Sequence, residues 1–233
     1  MRLAAKGAEN IFGIFLGNSG SDRDVLTMKV LTLAEATTRG GRRKWFYWFM
    51  SHVARVLLFP FFSLHVSGKE NVPRESAFVL LPKHQRWEDI PLLGLSTPRP
   101  VYYVAKHELF SSPLSNWFFR RLGGVPLDRK RPLKSREFLR EMIEILKRGE
   151  GFVVFPEGTY YPGGIGQARG GVIRLICSQV AVPFIPVGIH YGRRSCRTLV
   201  TIRFGKPVFV VSRSSVGEFL DTVMADIARL SGF

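Results

Sequence analysis

Residues 77–91 read AFVLLPKHQRWEDIP. The short, wholly apolar run AFVLL reads as a candidate strand. Pro91 prefers the first helical position, so a helix is expected to begin near Ile90, with Asp89 at or near its N-cap. His84 then lies on the loop between the two elements. On an α-helix, residues i and i+5 point about 140° apart, so His84 and Asp89 could not share a helical face. A histidine on the preceding loop can instead fold back toward the acid. A strand–loop–helix edge of this kind is where open α/β sheets gather their chemistry.

Working outward, the alternation of short apolar runs and helical patterns continues. Candidate strands are LHVSG (64–68), AFVLL (77–81), VYYVA (101–105), VPLD (125–128), FVVF (152–155), FIPVGIHY (184–191) and TLVTIRF (198–204). A helix is expected over 134–148, where Leu139, Met142, Ile143 and Leu146 share one face and Gly149 follows as a stop. Glu144, four positions before Arg148, reads as a helix-surface pair. A last helix carries Val216, Phe219, Leu220, Val223, Ile227 and Leu230 on one face, with Ser215 and Glu218 placed for a capping box. The pattern predicts an α/β fold: a mostly parallel mixed sheet flanked by helices. Neither an internal repeat nor a low-complexity linker divides residues 62–233.

The amino-terminal part differs. Residues 1–41 read as a variable leader, and no secretory signal is expected there, because IFGIFLG (11–17) runs into NSGSDRD without a cleavage-type site. Residues 42–66, RRKWFYWFMSHVARVLLFPFFSLHV, are the most lipophilic part of the chain. His52, Arg55 and Pro60 interrupt them too often for a spanning helix, which needs about 20 apolar residues. Aromatics beside Arg and Lys suit the headgroup boundary, so residues 42–63 are expected to form a membrane-interfacial helical anchor. The alternative is an ordinary helix packed on the core. The formal charge of +16 attracts an anionic membrane surface, phosphorylated substrates or nucleic acid. Basic residues are not interleaved with aromatics in a nucleic-acid motif, so no nucleic acid is expected as partner. Cys177 and Cys196 do not form a C-x-x-C pair and read as free thiols.

A histidine can take a proton from an alcohol attacking an acyl carbon, and a carboxylate on its other nitrogen fixes the tautomer and steadies the imidazolium. Alone, the spacing of His84 and Asp89 fits a helix cap and a polar loop residue at least as well. Three further stretches weigh on the chemical side: GGVPLDRKRP (123–132), with Arg129 after a short strand; FPEGTYYPGG (155–164), after FVVF; and VPFIPV (182–187). In this order, H-x4-D, G-x4-D-R, F-P-E-G-T and V-P-x-x-P-V resemble the motifs of the glycerolipid acyltransferases, the family of the bacterial lysophosphatidate acyltransferases. The resemblance covers roughly residues 64–210.

The resemblance implies that residues 64–233 are an acyltransferase domain, with His84 the general base and Asp89 its orienting partner. Arg129 would hold an acceptor phosphate through its guanidinium fork. Glu157, Gly158 and Thr159 would shape the acceptor site, and Pro183 and Pro186 the acyl or thioester channel. The chain departs from the family pattern at Lys83, often Asn, at Arg86, often Ser, and at Tyr160 and Tyr161, where the third motif usually continues with Arg and Ser. Arg169 is expected to replace the arginine missing there. GGIGQARGG (163–171) does not carry the dinucleotide fingerprint, because Arg169 stands where its last glycine should be; its amides and Arg169 could meet phosphate, the alternative being a simple turn.

The implied activity is transfer of a fatty acyl group from acyl-CoA or acyl carrier protein to a lysophospholipid, foremost 1-acylglycerol-3-phosphate, at the cytoplasmic face of the cell membrane, as a peripheral or monotopic protein. No metal and no cofactor beyond the acyl donor is implied. Alternatives are another acceptor, such as a lyso-aminolipid, and a non-catalytic basic protein coating membranes or nucleic acid.

Overall fold

The computed structural model describes residues 44–128, 136–194, 196–210 and 216–233. In chain order these form α1 (Lys44–Leu58), β1 (Phe62–Ser67), β2 (Phe78–Pro82), α2 (Asp89–Ser96), β3 (Val101–Lys106), α3 (Pro113–Arg121), β4 (Gly124–Leu127), α4 (Arg136–Lys147), β5 (Gly151–Val153), α5 (Gly171–Gln179), β6 (Phe184–Arg194), β7 (Arg197–Phe204) and α6 (Val216–Ser231), with short 3-10 turns at Lys69–Asn71 and His107–Phe110. The leader and the Ser215 cap lie outside the described residues.

The seven strands form one sheet in the order β1-β7-β6-β2-β5-β3-β4. Each neighbouring pair is parallel except the β6–β7 hairpin, registered from Val187 opposite Phe204 to Arg194 opposite Arg197. The expected mostly parallel mixed sheet is therefore present. β2 lies between β5 and β6 near the centre, and all five of its residues are buried. A strand covered on both faces needs apolar side chains in both directions, which is why AFVLL shows no polar alternation. Val79 and Leu81 point into the core made with α4, α5 and α6, against Met142, Ile173 and Val223. Phe78 and Leu80 point into the opposite core with Leu92 and Leu93 of α2.

β1 begins at Phe62, two residues before the expected start, and ends at Ser67. Gly68 stops it: its φ is +76°, and a Cβ there would sit 2.1 Å from the Phe204 carbonyl oxygen. Pro186 lies within β6 yet breaks little, because its carbonyl accepts from Gly205 N–H just beyond the end of β7, where the ladder is finishing anyway. In α4, Glu144 pairs back with Arg140 at 3.1 Å rather than forward with Arg148.

α1 falls within the stretch expected to form an interfacial anchor, and it has one buried and one exposed face. Phe46 and Tyr47 are buried, Phe46 meeting Trp117 edge-on with centroids 5.3 Å apart. Trp45, Trp48, Phe49, Val56 and Leu57 are exposed. The helix holds 15 residues, about 22 Å at 1.5 Å per residue, and no described helix is long and apolar enough to cross a membrane.

Candidate active site

The loop that follows β2 folds back toward the start of α2. His84 Nδ1 lies 3.1 Å from Asp89 Oδ2. Asp89 is the first residue of α2, and Glu88 stands at the N-cap position without a side-chain cap. The carboxylate is thus turned away from capping its own helix. Its Oδ2 instead accepts the N–H groups of Gln85, at 2.6 Å, and Arg86, at 2.8 Å. Its Oδ1 accepts the hydroxyl of Tyr191 at 2.6 Å. Asp89 is wholly buried, and these donors replace the water that burial removes. With a carboxylate at Nδ1, the hydrogen-bond network assigns the imidazole proton to that nitrogen. Nε2 is then a lone-pair acceptor, with no partner among the described residues, on a side chain 11% exposed. The ring stacks on Phe155, centroids 3.8 Å apart, and meets Tyr160 at 4.4 Å.

Behind the histidine sits a second buried unit. Lys83 Nζ lies 2.7 and 2.8 Å from the two oxygens of Glu157 and donates to the Tyr161 carbonyl at 2.7 Å. Glu157 also accepts His84 N–H at 3.0 Å and Gly166 N–H at 2.6 Å. Tyr161 N–H donates to the His84 carbonyl at 2.8 Å. The segments after β2 and β5 and the glycine-rich loop are thereby tied together at the carboxyl ends of the parallel strands.

Glu157, expected to help shape the acceptor site, is 1% exposed, and both its oxygens accept from protein donors, so it holds the loop of His84. The glycine-rich loop is more than a simple turn, since Gly166 is one of those donors. Gly158 lies in the left-handed region at φ +67°, and a Cβ there would meet Arg169 Cδ at 2.9 Å. Thr159 and Arg169 are exposed. Arg169 precedes α5, its N–H bonded to the Pro156 carbonyl. Arg129 lies outside the described residues.

Sequence reasoning missed three participants. In the sequence Lys83 stands out only as a departure from the family pattern, Gln85 carries no signal, and Tyr191 is the end of a strand. Gln85 donates to the Ile189 carbonyl at 2.7 Å. For Tyr191 a signal existed: it follows Ile185, Val187 and Ile189 at period two, so it stands on the same face of β6 as that apolar stripe. Burial first, then the negative charge and hydrogen bond of Asp89, push its phenol well above the usual tyrosine range. Beside the loop, Leu57, Leu58, Phe61, Phe62, Arg86 and Trp87 line much of a groove of about 510 Å³. His84 itself does not line it.

The family model described as Acyltransferase matches residues 63–190. The 1-acyl-sn-glycerol-3-phosphate acyltransferase of Bacillus subtilis is 32% identical over 141 residues, 60% of this chain and 69% of that protein. The lyso-ornithine lipid O-acyltransferase of Pseudomonas aeruginosa is 30% identical over 146 residues, 63% of this chain and 53% of that protein. Some curated relatives are longer: the aligned stretch spans 41% of a chloroplastic 1-acyl-sn-glycerol-3-phosphate acyltransferase from Arabidopsis thaliana. Among solved structures, the 1-acyl-sn-glycerophosphate acyltransferase PlsC of Thermotoga maritima superposes with a TM-score of 0.56 at 28% identity, covering 96% of this chain and 88% of that one.

Proposed function

The chain belongs to the Acyltransferase family, and from that premise we propose that it moves a fatty acyl group from a thioester donor, acyl-CoA or acyl carrier protein, to the free hydroxyl of 1-acylglycerol-3-phosphate. The observation that carries this reading is the His84–Asp89 pair with Nε2 left open. Nε2 takes the hydroxyl proton as the oxygen attacks the thioester carbonyl carbon. The tetrahedral intermediate then collapses, the carbon–sulfur bond breaks, and the imidazolium returns the proton to the departing thiolate. Asp89 stays ionised and steadies the transient charge. General-base help of this kind contributes about 10²–10⁴-fold; positioning of donor and acceptor supplies the rest. The step draws on no metal and no cofactor beyond the donor.

The acceptor's headgroup is read by Arg129 and Arg169, with Gly158 and Thr159 shaping the acceptor site. α1 lies in the headgroup region of an anionic leaflet, at the cytoplasmic face, with its exposed aromatics inserted and the +16 charge holding the protein to the surface. The groove beside Trp87 and Leu57 leads a fatty tail from that leaflet toward the loop. A second acceptor class, a lyso-aminolipid without phosphate, is favoured by one observation: Tyr160 stands where the family usually places an arginine.

The test is an in vitro acyl-transfer assay over a panel of lysolipids, with His84→Ala alongside. Phosphatidate formation by the wild type and its loss in the variant support the reading. Acyl label retained covalently on the protein after quenching contradicts direct transfer, and turnover by His84→Ala contradicts the base.

A further inference from the structure

Asp89 has two oxygens, and only one of them faces the histidine. A carboxylate free to turn about its last bond presents either oxygen, at varying angles, to Nδ1. Here the turn is blocked from both ends. Oδ2 is held by Gln85 N–H and Arg86 N–H. Oδ1 is held at 2.6 Å by the hydroxyl of Tyr191, a residue on β6 and 102 positions distant in sequence. The same strand also takes Gln85 Nε2 on the carbonyl of Ile189, so β6 grips the loop at two points. The ring of Tyr191 is itself fixed, because the Arg86 guanidinium lies 4.6 Å from its centroid.

We infer that Tyr191 is a positioning residue for acyl transfer: its hydroxyl locks the Asp89 carboxylate in the one rotation that keeps the imidazole proton on Nδ1 and leaves Nε2 ready to accept. The inference rests on the reading of His84 as the base. The charged and titratable groups around Tyr191 are Asp89, Glu88 and Arg86, with His84 on the far side of Asp89. Burial and the neighbouring carboxylate keep the phenol protonated, so it remains a donor across the working pH range. It cannot at the same time donate to a reacting oxygen, since its single proton is committed to Asp89.

The experiment is Tyr191→Phe in the full chain, reconstituted in detergent or lipid nanodiscs. The acceptor is whichever lysolipid the wild type acylates. Loss of one hydrogen bond to a charged group predicts a kcat lowered by about 10- to 100-fold, with KM changed by no more than about twofold, the pattern of a group that acts only in the transition state. Heteronuclear NMR of labelled histidine, which reads the tautomer directly, should show His84 as the Nδ1–H form in the wild type and as a mixture in the variant. A fluorotyrosine placed at 191 keeps the hydroxyl and should restore kcat. An unchanged kcat overturns the inference. So does a kcat loss that accompanies lowered thermal stability while the tautomer stays as in the wild type, since that is a structural role alone. If His84→Ala retains turnover, the reading of the base has failed; the tautomer comparison, which needs no activity, still decides whether Tyr191 orients the pair.

Discussion

Lys83 Nζ and Glu157 Oε1 lie 2.7 Å apart, and neither side chain has any exposure to solvent. A buried pair of this kind adds little net stability over an apolar pair of the same size, but removing one partner leaves an uncompensated charge. Glu157→Gln or Lys83→Met alone should therefore destabilise the protein by about 3–5 kcal/mol. The double variant Lys83→Met/Glu157→Gln should lose clearly less than the two single losses combined. Denaturant midpoints of the four proteins check this, and additive losses would show that the two charges do not depend on each other. Because Glu157 also holds the amides of His84 and Gly166, the double variant should regain stability before it regains activity.

Asp89→Asn keeps the shape of the side chain and replaces one acceptor oxygen with an NH₂ group. His84, Gln85, Arg86 and Tyr191, which surround the Asp89 carboxylate, can all act as donors, so the amide must set its own N–H groups against at least one of them. Kinetics should show kcat reduced by about 10²–10⁴-fold, and unfolding should show a loss of about 1–3 kcal/mol from the unsatisfied donors. A variant with kcat near that of the wild type would remove the carboxylate from the mechanism.

Much of this arrangement was legible in the chain because it is local. The expected strands are present, apart from shifts of one to three residues at their ends, because runs such as Phe78–Pro82 are buried on both faces and carry no polar interruption. Pro91 and the helix geometry put His84 on a loop that can fold back to Asp89, though the spacing alone fits a helix cap and a polar loop residue at least as well. What could not be read is long-range. Lys83 sits 74 positions from Glu157, and Tyr191 102 from Asp89. A lysine following a proline at a strand's end resembles any exposed lysine, since lysines are seldom buried; only the packing of the Glu157 turn beneath it reveals the pair. The partners of Glu157 are hidden for the same reason: sequence shows the charge and not which groups surround it.

Tyr191 also makes a prediction about pH. Its folded phenol titrates well above the ordinary value of 10.0, chiefly through burial and then through Asp89. A group whose pKa is raised by folding contributes stability that is complete below the unfolded value and is lost as pH rises toward the folded one. Wild-type stability should therefore fall more steeply above about pH 10 than that of Tyr191→Phe, while the difference between the two proteins stays constant below pH 9 or so. Urea midpoints measured across this range check the slope. Parallel curves would mean that the phenol ionises no later in the folded protein than in the unfolded chain.

The exposed face of α1 can be tested apart from the chemistry. Trp48, Phe49 and Leu57 are each more than half exposed, at 53%, 58% and 64%, so their removal leaves the core intact, whereas Phe46 and Tyr47 on the opposite side are buried. If the face enters a leaflet, each large apolar side chain contributes about 1.5–3 kcal/mol of burial in lipid, or about tenfold or more in partitioning. Trp48→Ser, Phe49→Ser and Leu57→Ser should each weaken binding to vesicles rich in anionic lipid, measured by sedimentation, without lowering the melting temperature. Raising the salt concentration should weaken all the proteins further, because the basic surface acts through screened charge. Turnover of a short-chain lysolipid dissolved below its micellar concentration should be spared in Trp48→Ser and Phe49→Ser, since that acceptor need not be drawn from a leaflet and neither side chain lines the groove beside Trp87. Wild-type partitioning in the Ser variants would mean that α1 is covered by something other than lipid.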